Sequence, residues 1–296
     1  MSRPPTFTPP PCARPRALAT TRGTFAVLEG QPAGAVRGTV LLLPGFTGSK
    51  EDFIALLEPL CEAGYRAVTV DGRGQYETDG PDDQQAYAQD ELARDVLAQA
   101  EAVGGPVHLV GHSLGGQIAR AAVLLDPAPF TTLTLMSSGP AQVTAAQQQK
   151  IKLLSDALAV MGMDQVWEAM RALDPPEDAD IEGAGAGTDN GRTDGRTDGE
   201  DLRRRWLRHN PAQLIATGRQ LTVEPDRIAE LAAVRPLPKH VLSGERDDTW
   251  PVSLLDEMAE RLDARRTVIA AAEHSPNTDR PHETAQALIA FWDAQY

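Results

Sequence analysis

One stretch of this 296-residue chain has the residue types and spacing of an activated nucleophile. Residues 107–120 read VHLVGHSLGGQIAR: an apolar run, then Gly111, His112, Ser113, Leu114 and Gly115, then a helical pattern. A strand that turns this tightly into a helix forces its apex residue into a strained backbone and aims the side chain outward. The flanking glycines relieve crowding that a Cβ would cause. Packing alone needs no serine at that apex, so Ser113 reads as an exposed nucleophile. A serine hydroxyl is weak at neutral pH, however, and covalent catalysis requires a base beside it and a carboxylate to orient that base.

Six histidines compete for the base. His108 sits inside a strand, His240 opens one, and His112 adjoins the nucleophile but points elsewhere around the turn, so all three read as structural. His209 precedes Asn210 and Pro211, and His282 begins a helix, where a polar residue needs no special role. His274 follows the last apolar run, in a loop that continues through Ser275, Pro276 and Asn277. For the carboxylate, Asp247 and Asp248 compete within VLSGERDDTWPV.

These residues need a scaffold, and the chain supplies one. Short apolar runs at residues 25–28, 40–43, 67–70, 107–110, 133–136, 241–243 and 268–271 alternate with helical patterns such as 50–63, 87–103 and 254–262. That alternation predicts an α/β fold with a doubly wound, mostly parallel sheet. The lead-in, residues 1–16, is broken by six prolines and reads as flexible; residues 17–139 and 239–296 form the core. Between 140 and 238 helical stretches follow one another without a strand, which predicts an inserted helical cap. Inside it, residues 183–200 contain no large apolar side chain and repeat GRTD, the composition of a mobile loop. Asp189, Asp194 and Asp198 match no EF-hand spacing, so the segment reads as a solvated linker and no metal is expected.

At these residues the sequence resembles the α/β-hydrolase family, from about residue 23 to 295 and only thinly over the cap. The family places its catalytic histidine where His274 stands and its acid where Asp247 stands, with Asp248 as the alternative. The resulting chain order, Ser113, Asp247, His274, is the family's order. Pro44, Gly45 and Phe46 follow the strand at 40–43, where relatives carry the loop that supplies an oxyanion donor. The resemblance thus implies the backbone N–H groups of Phe46 and Leu114 as the pair that receives the developing charge. Many relatives have His-Gly where this chain has Pro44 and Gly45. Asp71, Gly72, Arg73 and Gly74 match another family turn and read as structural. Phe46 and Trp250 flank the machinery and are expected to line an apolar acyl pocket.

Composition narrows the partners. The net charge of −14 repels phosphate backbones, so no nucleic acid is expected. The two cysteines, Cys12 and Cys61, have no zinc or redox spacing, and no disulfide scaffold is expected. No apolar run resembles a signal sequence or spans a membrane, which predicts a cytoplasmic protein. The substrate is expected to be a small molecule, an ester or lactone cleaved through an acyl-enzyme without a cofactor. Carbon–carbon hydrolysis and cofactor-free perhydrolysis use the same triad and stay open, as does a non-catalytic ligand-binding protein on the same fold.

Overall fold

A computed structural model describes residues 2–173 and 195–295. Eight strands form one sheet: β1 (Ala13–Thr20), β2 (Gly23–Gly30), β3 (Gly38–Leu43), β4 (Tyr65–Val70), β5 (Val107–His112), β6 (Phe130–Met136), β7 (Lys239–Gly244) and β8 (Arg265–Ile269). Their order across the sheet is β1-β2-β4-β3-β5-β6-β7-β8; β1 and β2 run antiparallel and the other six are mutually parallel.

Helices cover both faces, and the strand period assigns each side chain to one of them. Leu41 and Leu43 of β3 point into a core that includes Val96 of α2 (Gln89–Ala102), Ala122 of α3 (Leu114–Leu125) and Leu255 of α9 (Val252–Leu262). Val40 and Leu42 point the other way, against Leu57 of α1 (Ile54–Glu62) and Leu288 and Trp292 of α10 (Pro281–Asp293). Each of these leucines is essentially fully buried, and a side chain so buried contributes about 1.5–3 kcal/mol.

Between β6 and β7 the described residues are helical: α4 (Ala145–Leu158), α5 (Met163–Leu173), α6 (Gly195–Leu207), α7 (Pro211–Val223) and α8 (Ile228–Ala233). A buried ion pair fastens this insertion to the helix after β5, with Arg120 of α3 2.5 Å from Glu224 just past α7. Arg120 also donates to the Pro140 carbonyl at 2.7 Å. Of the stretch expected to be a mobile loop, residues 183–194 lie outside the described residues, and Gly195–Glu200 open α6.

The flexible lead-in expected at residues 1–16 is corrected in two ways. β1 begins at Ala13, pairing Ala13 with Gly30 and Pro15 with Leu28, because an edge strand tolerates a proline that lacks a ladder donor. Upstream, Pro4 is buried and Ser2 is held by other parts of the chain. The turn at Asp71–Gly74, expected to be structural, is bonded to the rest of the core. Asp71 accepts from the Lys50 backbone at 2.7 Å and its ammonium at 2.8 Å, and Arg73 forks onto Asp95. Burial alone would lower the pKa of the Lys50 ammonium, but Asp71 and Glu51 beside it override this and raise it.

Candidate active site

The turn from β5 into α3 puts Ser113 at φ 54°, ψ −120°, a conformation L-residues avoid unless the surroundings impose it. Here the surroundings do. The Ser113 N–H donates to the Met136 carbonyl at 2.9 Å, and the Ser113 carbonyl accepts from Gly116 N–H at 2.9 Å. A Cβ on Gly111 would stand 2.3 Å from the Gly115 carbonyl oxygen, and one on Gly115 only 2.5 Å from the Leu43 and Pro44 carbonyl oxygens. Both glycines of the motif are therefore required by close backbone approach.

The loops after β7 and β8 bring the other two residues to this apex. His274 Nε2 lies 3.0 Å from Ser113 Oγ, and His274 Nδ1 lies 3.0 Å from both carboxylate oxygens of Asp247. An ionised carboxylate can only accept, so Nδ1 carries the proton and Nε2 is the lone pair facing the serine hydroxyl. Asp247 is fully buried at its side chain, and its Oδ1 also accepts from the backbone N–H groups of Thr249 (2.8 Å) and Trp250 (3.1 Å). Asp248 turns away: its carboxylate accepts from Gln147 Nε2 at 2.7 Å and lies 3.7 Å from Lys150.

Phe46 and Leu114 offer their backbone N–H groups without an acceptor among the described residues. Leu114 is the first residue of α3, whose amide end favours negative charge. The loop bearing Phe46 passes directly over the elbow, since a Cβ on Gly45 would come 3.3 Å from Ser113 Cβ. Gln75 Nε2 holds that loop through the Gly45 carbonyl at 2.9 Å.

A cavity of about 350 Å³ opens over Ser113 and His274. Phe46, Val143, Ile151 and Leu221 give it an apolar side, while Thr47, Gln147, Lys150 and Thr249 give it a polar one. Trp250, expected on this wall, lies elsewhere. It is fully buried against Gly139, its indole N–H donates to the Ala141 carbonyl at 3.0 Å, and it is absent from the cavity lining. Gln147, Lys150 and Ile151, also on this lining, share one face of α4 at positions i, i+3 and i+4. Nothing in the sequence distinguishes that face from the others.

Four of the other five histidines are bonded away from the serine hydroxyl. His108 bonds Thr132, His240 bonds Thr267, and His209 lies between the Arg205 and Gly48 carbonyls. His112 donates from Nε2 to the His274 carbonyl at 2.8 Å. Burial, helped by the neighbouring His274, pushes its pKa down to about 3, so it stays neutral.

Comparison with known proteins places this geometry in a family. A Variovorax paradoxus (strain S110) protein named for carbamate hydrolysis is 37% identical over 100 residues, which are 33% of this chain and 37% of that protein. A 2-hydroxy-6-oxononadienedioate/2-hydroxy-6-oxononatrienedioate hydrolase of Dechloromonas aromatica (strain RCB) is 35% identical over 124 residues, 39% of this chain and 42% of that one. The matches thus span about two fifths of these relatives' own lengths. Among solved structures, a thermophilic esterase from Thermogutta terrifontis superposes with a TM-score of 0.73 at 21% identity, over 96% of this chain and 99% of that one. No helix among the described residues is long and apolar enough to cross a membrane. The family model described as the alpha/beta hydrolase family matches residues 40–287, and the chain belongs to that family.

Proposed function

We propose that the protein hydrolyses a carboxylic ester or lactone of a small molecule through an acyl-enzyme. The observation that carries this reading is the unbroken hydrogen-bonded line from Asp247 through His274 to Ser113, ending at a strained elbow beside two amides without an acceptor among the described residues. Ser113 Oγ attacks the carbonyl carbon as His274 Nε2 takes its proton; the Asp247 carboxylate stabilises the imidazolium. The carbonyl oxygen becomes an oxyanion between the N–H groups of Phe46 and Leu114, and losing one such donor typically costs 10²- to 10³-fold in rate. His274 returns the proton to the leaving alcohol, then activates a water that releases the acid and frees the serine. The helices between β6 and β7 act as the cap that shapes the cavity, and its Phe46, Val143, Ile151 and Leu221 side receives the apolar acyl group.

The test is intact mass after incubation with a fluorophosphonate, with turnover of p-nitrophenyl esters of increasing acyl length and a Ser113→Ala control. One adduct that vanishes in the control, together with ester turnover, supports the reading. A folded protein that neither labels nor turns over an ester defeats it and favours a ligand-binding protein on this fold. The Dechloromonas relative, named for hydrolysis of a dienedioate, favours a second reading, carbon–carbon bond hydrolysis by the same triad. Labelling without ester turnover would select it.

A further inference from the structure

The stretch before β1 does more than lead into the sheet. Pro4, Pro5, Pro9, Pro10 and Pro11 fix φ and favour an extended path, so holding this segment in place costs less chain entropy than holding an ordinary one. Its lower end is tied where the parallel strands begin: Gln31 N–H donates to the Cys12 carbonyl at 2.9 Å, and Ala13 pairs with Gly30, which pairs with Ala67 near the start of β4. Its upper end reaches the loop after β8, at the opposite end of the parallel strands. There Ser2 Oγ lies 3.2 Å from Ser275 Oγ, beside His274, and Pro4 is buried.

A buried arginine latches this end. Arg205 of α6 donates from Nη2 to the Ser2 carbonyl at 2.6 Å, and its guanidinium stands 5.9 Å from the Phe7 ring centroid. Arg205 is wholly buried and pairs at 2.7 Å with Asp52, equally buried. The Asp52 carbonyl in turn accepts from Asn277 Nδ2 at 2.7 Å. One arginine therefore joins the cap, the turn after the Phe46 loop and the start of the chain, and Asp52 carries that link to the His274 loop. Ser2 lines the same cavity as Ser113 and His274.

We propose that residues 2–8 are a fixed wall of the catalytic cavity, with Ser2 the point at which that wall meets the substrate and limits the size of the group accepted. The proposal rests on the hydrolase reading above. The wall is ordered before substrate arrives, so it excludes bulk instead of closing over it.

The experiment compares the full chain, a variant lacking residues 2–8, and Ser2→Trp, using p-nitrophenyl acetate and octanoate. Opening the wall is expected to raise the octanoate-to-acetate ratio of kcat/KM by about tenfold or more and to raise KM for acetate; Ser2→Trp is expected to shift that ratio the other way by a similar factor. Fluorophosphonate labelling of Ser113 in each variant reports that the machinery is intact. Labelled variants whose ratios stay within about twofold of the full chain overturn the proposal. If the full chain neither labels nor turns over, the hydrolase reading fails by itself, and hydrogen exchange then decides the wall. Exchange at residues 274–280 accelerates on removing residues 2–8 if the segment packs there as a wall, and unchanged exchange overturns it.

Discussion

His112 holds the backbone of His274: its Nε2–H donates to the His274 carbonyl at 2.8 Å, while the His274 ring reaches Ser113 at 3.0 Å. The residue before the nucleophile thus fixes the loop that delivers the base. His112→Ala is expected to lower kcat by about 10- to 100-fold through misplacement of His274, with His112→Asn recovering part of the loss. Steady-state kinetics on both variants check it, and an unchanged kcat in the alanine variant would mean that the loop holds itself.

The two neighbouring aspartates are expected to behave unlike one another. Asp247→Asn should lower kcat by about 10⁴, because the amide no longer fixes the imidazole tautomer. Asp248→Asn should leave kcat nearly unchanged, since that carboxylate meets Gln147, Lys150 and Thr249 on the polar side of the cavity and not His274. Ser113→Ala and His274→Ala should each cost about 10⁴- to 10⁶-fold with the fold intact, as judged by circular dichroism. Damage from Asp248→Asn instead would reassign the acid.

Gly115→Ala is expected to destabilise the protein by about 1–3 kcal/mol or more, because the added methyl meets two backbone carbonyl oxygens, Leu43 at the end of β3 and Pro44 just after it, that cannot swing away. Urea unfolding measures it. A variant as stable as the parent would show that the elbow and the β3 loop have room to separate.

Acid should unfold the protein earlier than its carboxylates alone require. Burial lowers the pKa of His108 and His209 to about 4 and of His112 and His240 to about 3, against about 6.5 in an unfolded chain. Well above pH ~6.5 neither state is protonated and this contribution to stability is fully present. As pH falls from about 6.5 toward 4, the unfolded chain takes up protons that the folded one refuses. Stability then drops by about 1.4 kcal/mol per pH unit for each histidine. Urea midpoints between pH 7 and 5 should fall accordingly; a flat profile would mean that these imidazoles are hydrated in the folded state.

Much of this architecture is legible in the sequence because buried parallel strands are apolar throughout. The runs at 40–43, 67–70, 107–110 and 133–136 each lie inside an observed strand. The edges are harder to read. β1 escapes notice because four of its first five residues, Arg14 to Ala17, are exposed, leaving no alternation to read. β8 ends at Ile269, short of the expected 271, and Ala271 itself has a positive φ. Ser113, Asp247 and His274 are legible because local turn chemistry and chain order constrain them. Trp250 is not: its closeness to Asp247 in the chain says nothing about the space beside Gly139 that its indole ring fills. Ser2 is invisible for a similar reason, since its neighbours Arg205 and Ser275 stand more than two hundred residues away.

The two margins of the sheet bear on how copies of this chain meet one another. An open strand edge is a template for adding a further strand from a second molecule. Here β1 presents exposed Arg14 and a Pro15 without an amide hydrogen, and β8 presents exposed Arg265 beside Arg266. Two such edges brought together would set arginine against arginine with a donor missing from the ladder, an arrangement that disfavours edge-to-edge pairing.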